Sequence, residues 1–300
     1  MGDSGLLQSI SKDTGRIVKM KKNKNLSDIR CIRNPDALKS YYEAMLGYWP
    51  VPMEKIFIPT SLGRTFCIKS GEESNPPMIL IHGAASNSAT WMADIKKLNN
   101  RYLTYCLDIP GDPGGSEDRR FSWEGPYFSQ WIKESMDFLN INRSVVGGLS
   151  LGGWASLRFA IDYPERVNKL YLLAPAGLAP LKALTVMRML LLSLMGKWGH
   201  EKILKMLFKG KEITPELRTY FEITAKNCKA RHGKPPVFTD EQLSSLKMPV
   251  VFIGGKNDLI VNTEKSLEKL SQNVSNLKSL VLEEGHGLIG LDYEVFELLG

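Results

Sequence analysis

The amino-acid sequence predicts an α/β protein, built on a mostly parallel, doubly wound sheet with a helical segment inserted after the sixth strand. Three observations carry that prediction. Short, continuously apolar runs such as Met78-Ile79-Leu80-Ile81 have the composition of strands buried on both faces, as in a parallel sheet. These runs alternate with helical patterns along most of the chain. Between residues 178 and 248 the alternation stops, leaving helical stretches only, and it resumes at Val250-Val251-Phe252-Ile253.

Residues 1–33 read as a basic N-terminal arm with little core. Residues 34–48 turn helical, with Asn34 as cap, Pro35 at the first position and Leu38, Tyr41, Tyr42, Met45 and Leu46 on one side. Trp49-Pro50-Val51-Pro52 stops that helix. Residues 54–59 and 64–69 read as an antiparallel hairpin turning at Ser61-Leu62-Gly63. The buried strand 78–81 follows, then a helix over about 91–98, a strand at 103–107 and a glycine-rich loop over 108–116. An amphipathic helix over about 127–139 leads to the next strand, Val145-Val146-Gly147-Gly148. A helix over 151–163, ended by Pro164, and a strand at 169–173 complete the first run of alternation. After the insertion come the strand at 250–253, a helix near 264–270 and a strand at 277–282. The expected organisation is a core of residues 34–177 and 249–300 with a helical cap, 178–248, over the carboxyl edge of the sheet, where ligands bind in open α/β sheets.

Three hundred residues allow one large domain with an insertion, and 43% hydrophobic with 24% charged residues is ordinary globular composition. Cys31, Cys67, Cys106 and Cys228 form no C-x-x-C pair, and are read as buried reduced thiols rather than disulfides or metal ligands. The first thirty residues contain no apolar stretch of signal-peptide length, and no run of about eighteen apolar residues occurs, so a cytoplasmic protein without a membrane span is expected. Leu6 stands where N-myristoylation needs serine or threonine. The net charge of +7 is uneven: residues 1–33 hold eight Lys/Arg against three Asp/Glu, and residues 178–248 hold thirteen against six. A basic tail suits nucleic acid or anionic lipid, but Lys19-Met20-Lys21-Lys22-Asn23-Lys24 is read as a solvated terminus, and no nucleic-acid partner is expected. The stretch 181–195 is apolar almost all round, with Lys182 and Arg188 its only charges, and is too short to span a bilayer. It is expected either to pack between cap and core or to line a pocket with adaptable methionines.

Gly148-Leu149-Ser150-Leu151-Gly152 fits G-x-S-x-G, in which a strand turns sharply into a helix with the serine exposed at the bend. Gly148 and Gly152 let the two backbone arms approach. The helix N-terminus beyond Ser150 offers N–H groups to developing negative charge. A serine nucleophile needs a base, and histidine takes and returns a proton near neutral pH. Of His82, His200, His232 and His286, the last follows the final strand between two glycines and is the best candidate. The acid that orients it is expected at Asp258, just past the preceding strand. Asp108 and Asp112 also lie past strand ends, and only the chain order Ser, Asp, His favours Asp258. Two backbone N–H groups are expected to meet an oxyanion, that of Leu151 after the serine and that of Ala84 in the loop His82-Gly83-Ala84-Ala85. His82 and Gly83 are expected to hold that loop in shape.

With these parts in order, the chain from about Trp49 onward resembles the α/β-hydrolase superfamily, and within it bacterial carboxylesterases of the NP type. Those proteins also carry a helix ending in Trp-Pro-Val-Pro and a cap exit similar to Phe238-Thr239-Asp240-Glu241. The resemblance implies hydrolysis of small-molecule carboxylic esters through an acyl-serine on Ser150, His286 and Asp258, with no metal or organic cofactor. A serine at the bend argues against the dehalogenase and epoxide-hydrolase branches, which use aspartate. Thioesters, lactones and carbon–carbon bonds are cleaved by the same apparatus, and a ligand-binding protein on the same fold is the remaining alternative. Trp91, Trp154, Met187 and Leu191 are the candidates to line the substrate pocket. Two departures bear on its shape: Ala85 where many relatives have glycine, and a loop after Asp108 one residue longer than usual.

Overall fold

The structure, a computed structural model, describes residues 31–209, 211–229, 231 and 233–298. Most of the expected basic arm therefore lies outside the described residues. Helix α1 (Pro35–Leu46) is capped by Asn34, whose side chain accepts from the Ala37 N–H. Strands β1 (Met53–Thr60) and β2 (Gly63–Ser70) pair antiparallel across the expected turn, with Thr60 opposite Gly63. Then come β3 (Pro77–Ile81), a 3-10 turn at Ser88–Ala93, α2 (Ile95–Leu98), β4 (Leu103–Leu107), α3 (Tyr127–Phe138), β5 (Ser144–Leu149), α4 (Leu151–Asp162) and β6 (Val167–Leu173). Helices α5 (Ala183–Ser193), α6 (Gly196–Leu207), α7 (Pro215–Asn227) and α8 (Asp240–Ser244) form the insertion. The chain closes with β7 (Val250–Gly255), α9 (Thr263–Asn273), β8 (Leu277–Leu282) and α10 (Tyr293–Glu297).

Eight strands form one sheet in the order β1-β2-β4-β3-β5-β6-β7-β8. Strand β2 runs antiparallel to both its neighbours, and every pair from β4 to β8 is parallel. Because successive side chains of a strand point to opposite faces, each apolar strand feeds two cores. Ile79 and Ile81 join α3, α4 and α9 on one face, while Met78 and Leu80 join α1, α2 and the segment after His286 on the other. Each fully buried isoleucine or leucine contributes about 1.5–3 kcal/mol, so these alternating strands supply much of the driving force for the layers.

Two segments differ from the sequence expectation. The helix expected over 91–98 is split at Asp94, whose carboxylate turns away to accept N–H groups of Gly290 (2.8 Å) and Leu291 (2.8 Å). The greasy stretch around α5 is neither packed into the core nor folded inward along its length, since Leu192 is the one buried residue of that helix. Periodicity could not reveal this because both faces of α5 are apolar. The insertion is tied to the core at its roots, where Lys182 N–H donates to the Ile260 carbonyl (3.0 Å) and Phe238 N–H to that of Gly177 (2.8 Å). All four cysteines are buried, and burial pushes the Cys67 and Cys106 thiols well up. No helix among the described residues is long and apolar enough to cross a membrane.

Candidate active site

Ser150 stands where β5 ends and α4 begins, with φ +54° and ψ −105°. A non-glycine residue in that region costs on the order of 1–3 kcal/mol and persists only where its surroundings enforce it. The enforcement is visible in the flanking glycines. A Cβ on Gly152 would come within 2.0 Å of the Ile81 carbonyl oxygen, and one on Gly148 within 2.4 Å of the Gly152 carbonyl carbon. Ser150 N–H donates to the Leu173 carbonyl (2.8 Å), which fixes the bend against the neighbouring strand.

His286 lies in the loop after β8, and Asp258 in the loop after β7, so both reach the sheet edge that carries Ser150. Ser150 Oγ–H donates to His286 Nε2 (2.9 Å), and His286 Nδ1–H donates to Asp258 Oδ2 (2.7 Å). The second carboxylate oxygen of Asp258 accepts from the Ile260 (2.7 Å) and Val261 (2.9 Å) N–H groups. Burial pushes this carboxyl up, but the imidazole and those two N–H groups outweigh burial and hold it below the usual range. Asp258 is thus an ionised acceptor that selects the tautomer with Nε2 free to take a proton from serine.

Neither the Ala84 nor the Leu151 N–H has a protein acceptor among the described residues, and Ala84 is exposed. Leu151 is the first residue of α4, where the helix dipole adds to the positive field. His82 is fully buried, donates from Nδ1 to the Gly83 carbonyl (2.7 Å) and accepts at Nε2 from Ile109 N–H (2.9 Å). A carbonyl can only accept and an N–H can only donate, so the ring is a neutral strut between the loops after β3 and β4. Ala85 sits at φ +54°, and its N–H donates to Asp112 (3.2 Å) rather than to the cleft.

The other candidates fall elsewhere. Asp108 accepts from Tyr42 Oη, from the Ser88 N–H and hydroxyl, and from Gly115 N–H, and so organises three segments away from His286. Asp112 pairs with Arg231 (3.1 Å) of the insertion. His200 packs edge-on against Phe221, and His232 lies outside the described residues. The four pocket candidates do not share one place. Trp91 is buried with the α1 side of the sheet, Trp154 packs among Trp123, Phe128 and Phe238 on the other, and Met187 and Leu191 point outward. A cavity of about 530 Å³ between Phe208, Lys211, Glu284 and Ile289 lies behind the histidine loop and is not lined by Ser150.

Sequence reasoning missed several residues that hold the site. Lys182 Nζ donates to the Asp258 carbonyl (2.6 Å), and Tyr220 of α7 meets Ser86 of the loop after β3 (3.1 Å). The histidine loop is gripped by Asp94, by Lys97 on the Leu291 carbonyl and by Lys211 on that of Ile289. All are contacts across long sequence separations, for which a single chain gives no local signal.

Comparison with known proteins gives consistent neighbours. A family model described as the alpha/beta hydrolase fold matches residues 76–205. The uncharacterised carboxylesterase nap of Bacillus subtilis strain 168 is 28% identical over 263 residues, covering 85% of this chain and 87% of that protein. The crystal structure of B. subtilis naproxen esterase, carboxylesterase NP, superposes with a TM-score of 0.78 at 29% identity, covering 84% of this chain and 92% of the other. That of B. subtilis carboxylesterase CesB (YbfK) gives 0.79 at 26%, covering 88% and 96%.

Proposed function

We propose that this chain, which has the α/β hydrolase fold and resembles bacterial carboxylesterases of the NP type, is a carboxylic ester hydrolase that works through an acyl-serine. The observation that carries the reading is the continuous hydrogen-bonded relay from Ser150 Oγ through His286 to Asp258, set at a strained bend on a helix N-terminus. Ser150 Oγ attacks the ester carbonyl carbon while His286 Nε2 takes its proton. The resulting imidazolium is stabilised by the ionised Asp258. The negative oxygen of the tetrahedral intermediate receives the Ala84 and Leu151 N–H groups, interactions that strengthen as charge develops. His286 then returns the proton to the departing alcohol, leaving Ser150 acylated. Water repeats the sequence in reverse roles and releases the acid. The base must be neutral to start either half.

The test is Ser150→Ala assayed on a panel of chromogenic esters of increasing acyl length, beside labelling with a fluorophosphonate. Turnover should fall by about a millionfold, as removal of a serine nucleophile does elsewhere, and label should be lost, while the circular dichroism spectrum is unchanged. A folded Ser150→Ala variant with wild-type turnover, or a label on another serine, overturns the reading.

A further inference from the structure

The insertion carries an apolar face turned to solvent. Leu184, Met187, Leu191 and Leu194 follow one another at steps of three and four residues, with Leu190 beside them and Trp198 continuing the stripe onto α6. Leu184 is 84% exposed, Leu194 79%, and the others between 57% and 59%. The opposite side of α5, around Leu192, faces the protein. Large apolar side chains contiguous along one helix face and left in water mark an interaction surface rather than scattered exposure.

The charges around the stripe select the partner. Along the stripe the sequence holds Arg188 and Lys197, and exposed Lys202 lies 5.5 Å from the Trp198 ring; the acidic residue beside it, Glu201, is paired with Arg218 and with Lys205 (3.6 Å). Pairing this face with its copy would bring like charges together. The chain's own first 33 residues, with eight basic against three acidic, would be repelled in the same way. A surface that accepts leucines and a tryptophan and also attracts cations is an anionic lipid interface. Aliphatic and aromatic side chains on one side with basic residues at the margin are how helices lie in such an interface without spanning it. The 11 residues of α5 extend about 16 Å, half of a hydrocarbon core.

We infer that the α5–α6 face docks this protein onto anionic lipid surfaces. The inference stands on surface chemistry alone and does not depend on ester cleavage. It has a consequence if cleavage is also correct: Lys182, the residue before α5, has its ammonium on the Asp258 carbonyl, so docking sets the catalytic edge beside the lipid and its dissolved esters.

The experiment is co-sedimentation of the full chain with vesicles of phosphatidylcholine alone and with equal parts phosphatidylglycerol. Wild type should bind the mixed vesicles far better than the neutral ones, and added salt should weaken binding. Leu190→Ser with Leu194→Ser should lower partitioning about a hundredfold, roughly tenfold per leucine removed from an apolar phase, with an unchanged circular dichroism spectrum. Brominated lipid should quench wild-type fluorescence more than that of Trp198→Phe. Equal binding by the double variant would assign the attraction to another basic region and overturn the inference. So would an absence of wild-type binding, or a wild-type dimer that the double variant converts to monomer without any vesicle binding.

Discussion

Asp108 and Asp258 both follow a strand, both are buried and both accept backbone N–H groups, yet only Asp258 meets an imidazole. Their amides should therefore fail in different ways. Asp258→Asn keeps the size of the side chain but favours the wrong imidazole tautomer, and should cut kcat by about 10⁴ with a small change in Tm. Asp108→Asn cannot accept from four donors with the same two oxygens, so the loss should appear in Tm, with kcat per folded molecule changed less than about tenfold. Measuring both quantities on both variants decides it, and an Asp108 variant that is stable but inactive would reverse the proposed assignment. The sequence alone left these carboxylates open, because position past a strand end says nothing of which loop leans toward the histidine. Ser150 and His286, by contrast, stand out in the sequence through their glycine-flanked settings, since glycine spacing records a backbone constraint locally, and the two side chains meet at 2.9 Å.

At the level of elements, the strands β3 to β7 were legible because each is a buried run with apolar residues for both faces, with ends that differ by at most two residues from the expected ones, whereas β8, at the sheet edge, is half exposed. The insertion was legible as helical but not in its orientation. Nor was its anchoring: Arg231 donates to Asp112 and to the Pro110 carbonyl (3.3 Å) and lies over Trp123 (5.5 Å), while Asp112 takes the Ala85 N–H of the loop after β3. This joins the insertion to the loop that carries Ala84 through a pair whose side chains are 8% and 1% exposed. Removing Arg231 leaves the buried Asp112 carboxylate with the longer contact to Arg120 (3.9 Å). Arg231→Met should thus cost about 3 kcal/mol in urea unfolding. The double variant Arg231→Met with Asp112→Asn should cost clearly less than the sum of the singles, because each single already loses the contact between the two residues. Additive losses would mean that the two residues stabilise the fold separately. A fall in kcat for the Arg231 variant without a change in its circular dichroism spectrum would show the loop drifting from the position that the oxyanion requires.

Across the whole molecule, the two halves of the chain meet at Asp94, which holds the segment after His286 from the far side of the sequence. Burial pushes its carboxyl up to about 6, against the opposing pull of the Gly290 and Leu291 N–H groups, Lys97 and Lys211. Between the ordinary value of 3.8 and about 6, the folded protein keeps a proton that the unfolded chain releases. Stability from this group is therefore fully present at low pH and is lost as pH rises through that window. At about 1.4 kcal/mol per unit, the loss is about 3 kcal/mol. Asp258 contributes with the opposite sign, its low folded value adding stability that disappears on acidification, but it is common to wild type and to an Asp94 variant and cancels in their difference. Urea unfolding of wild type and Asp94→Asn should accordingly give stability curves that are not parallel. The wild type should lose about 3 kcal/mol relative to the variant between about pH 4 and pH 7, whatever the absolute cost of replacing two carboxylate acceptors by one amide oxygen. Parallel curves would mean that Asp94 is ionised throughout and grips the histidine loop as a charge. In that case the amide should instead weaken the loop equally at every pH.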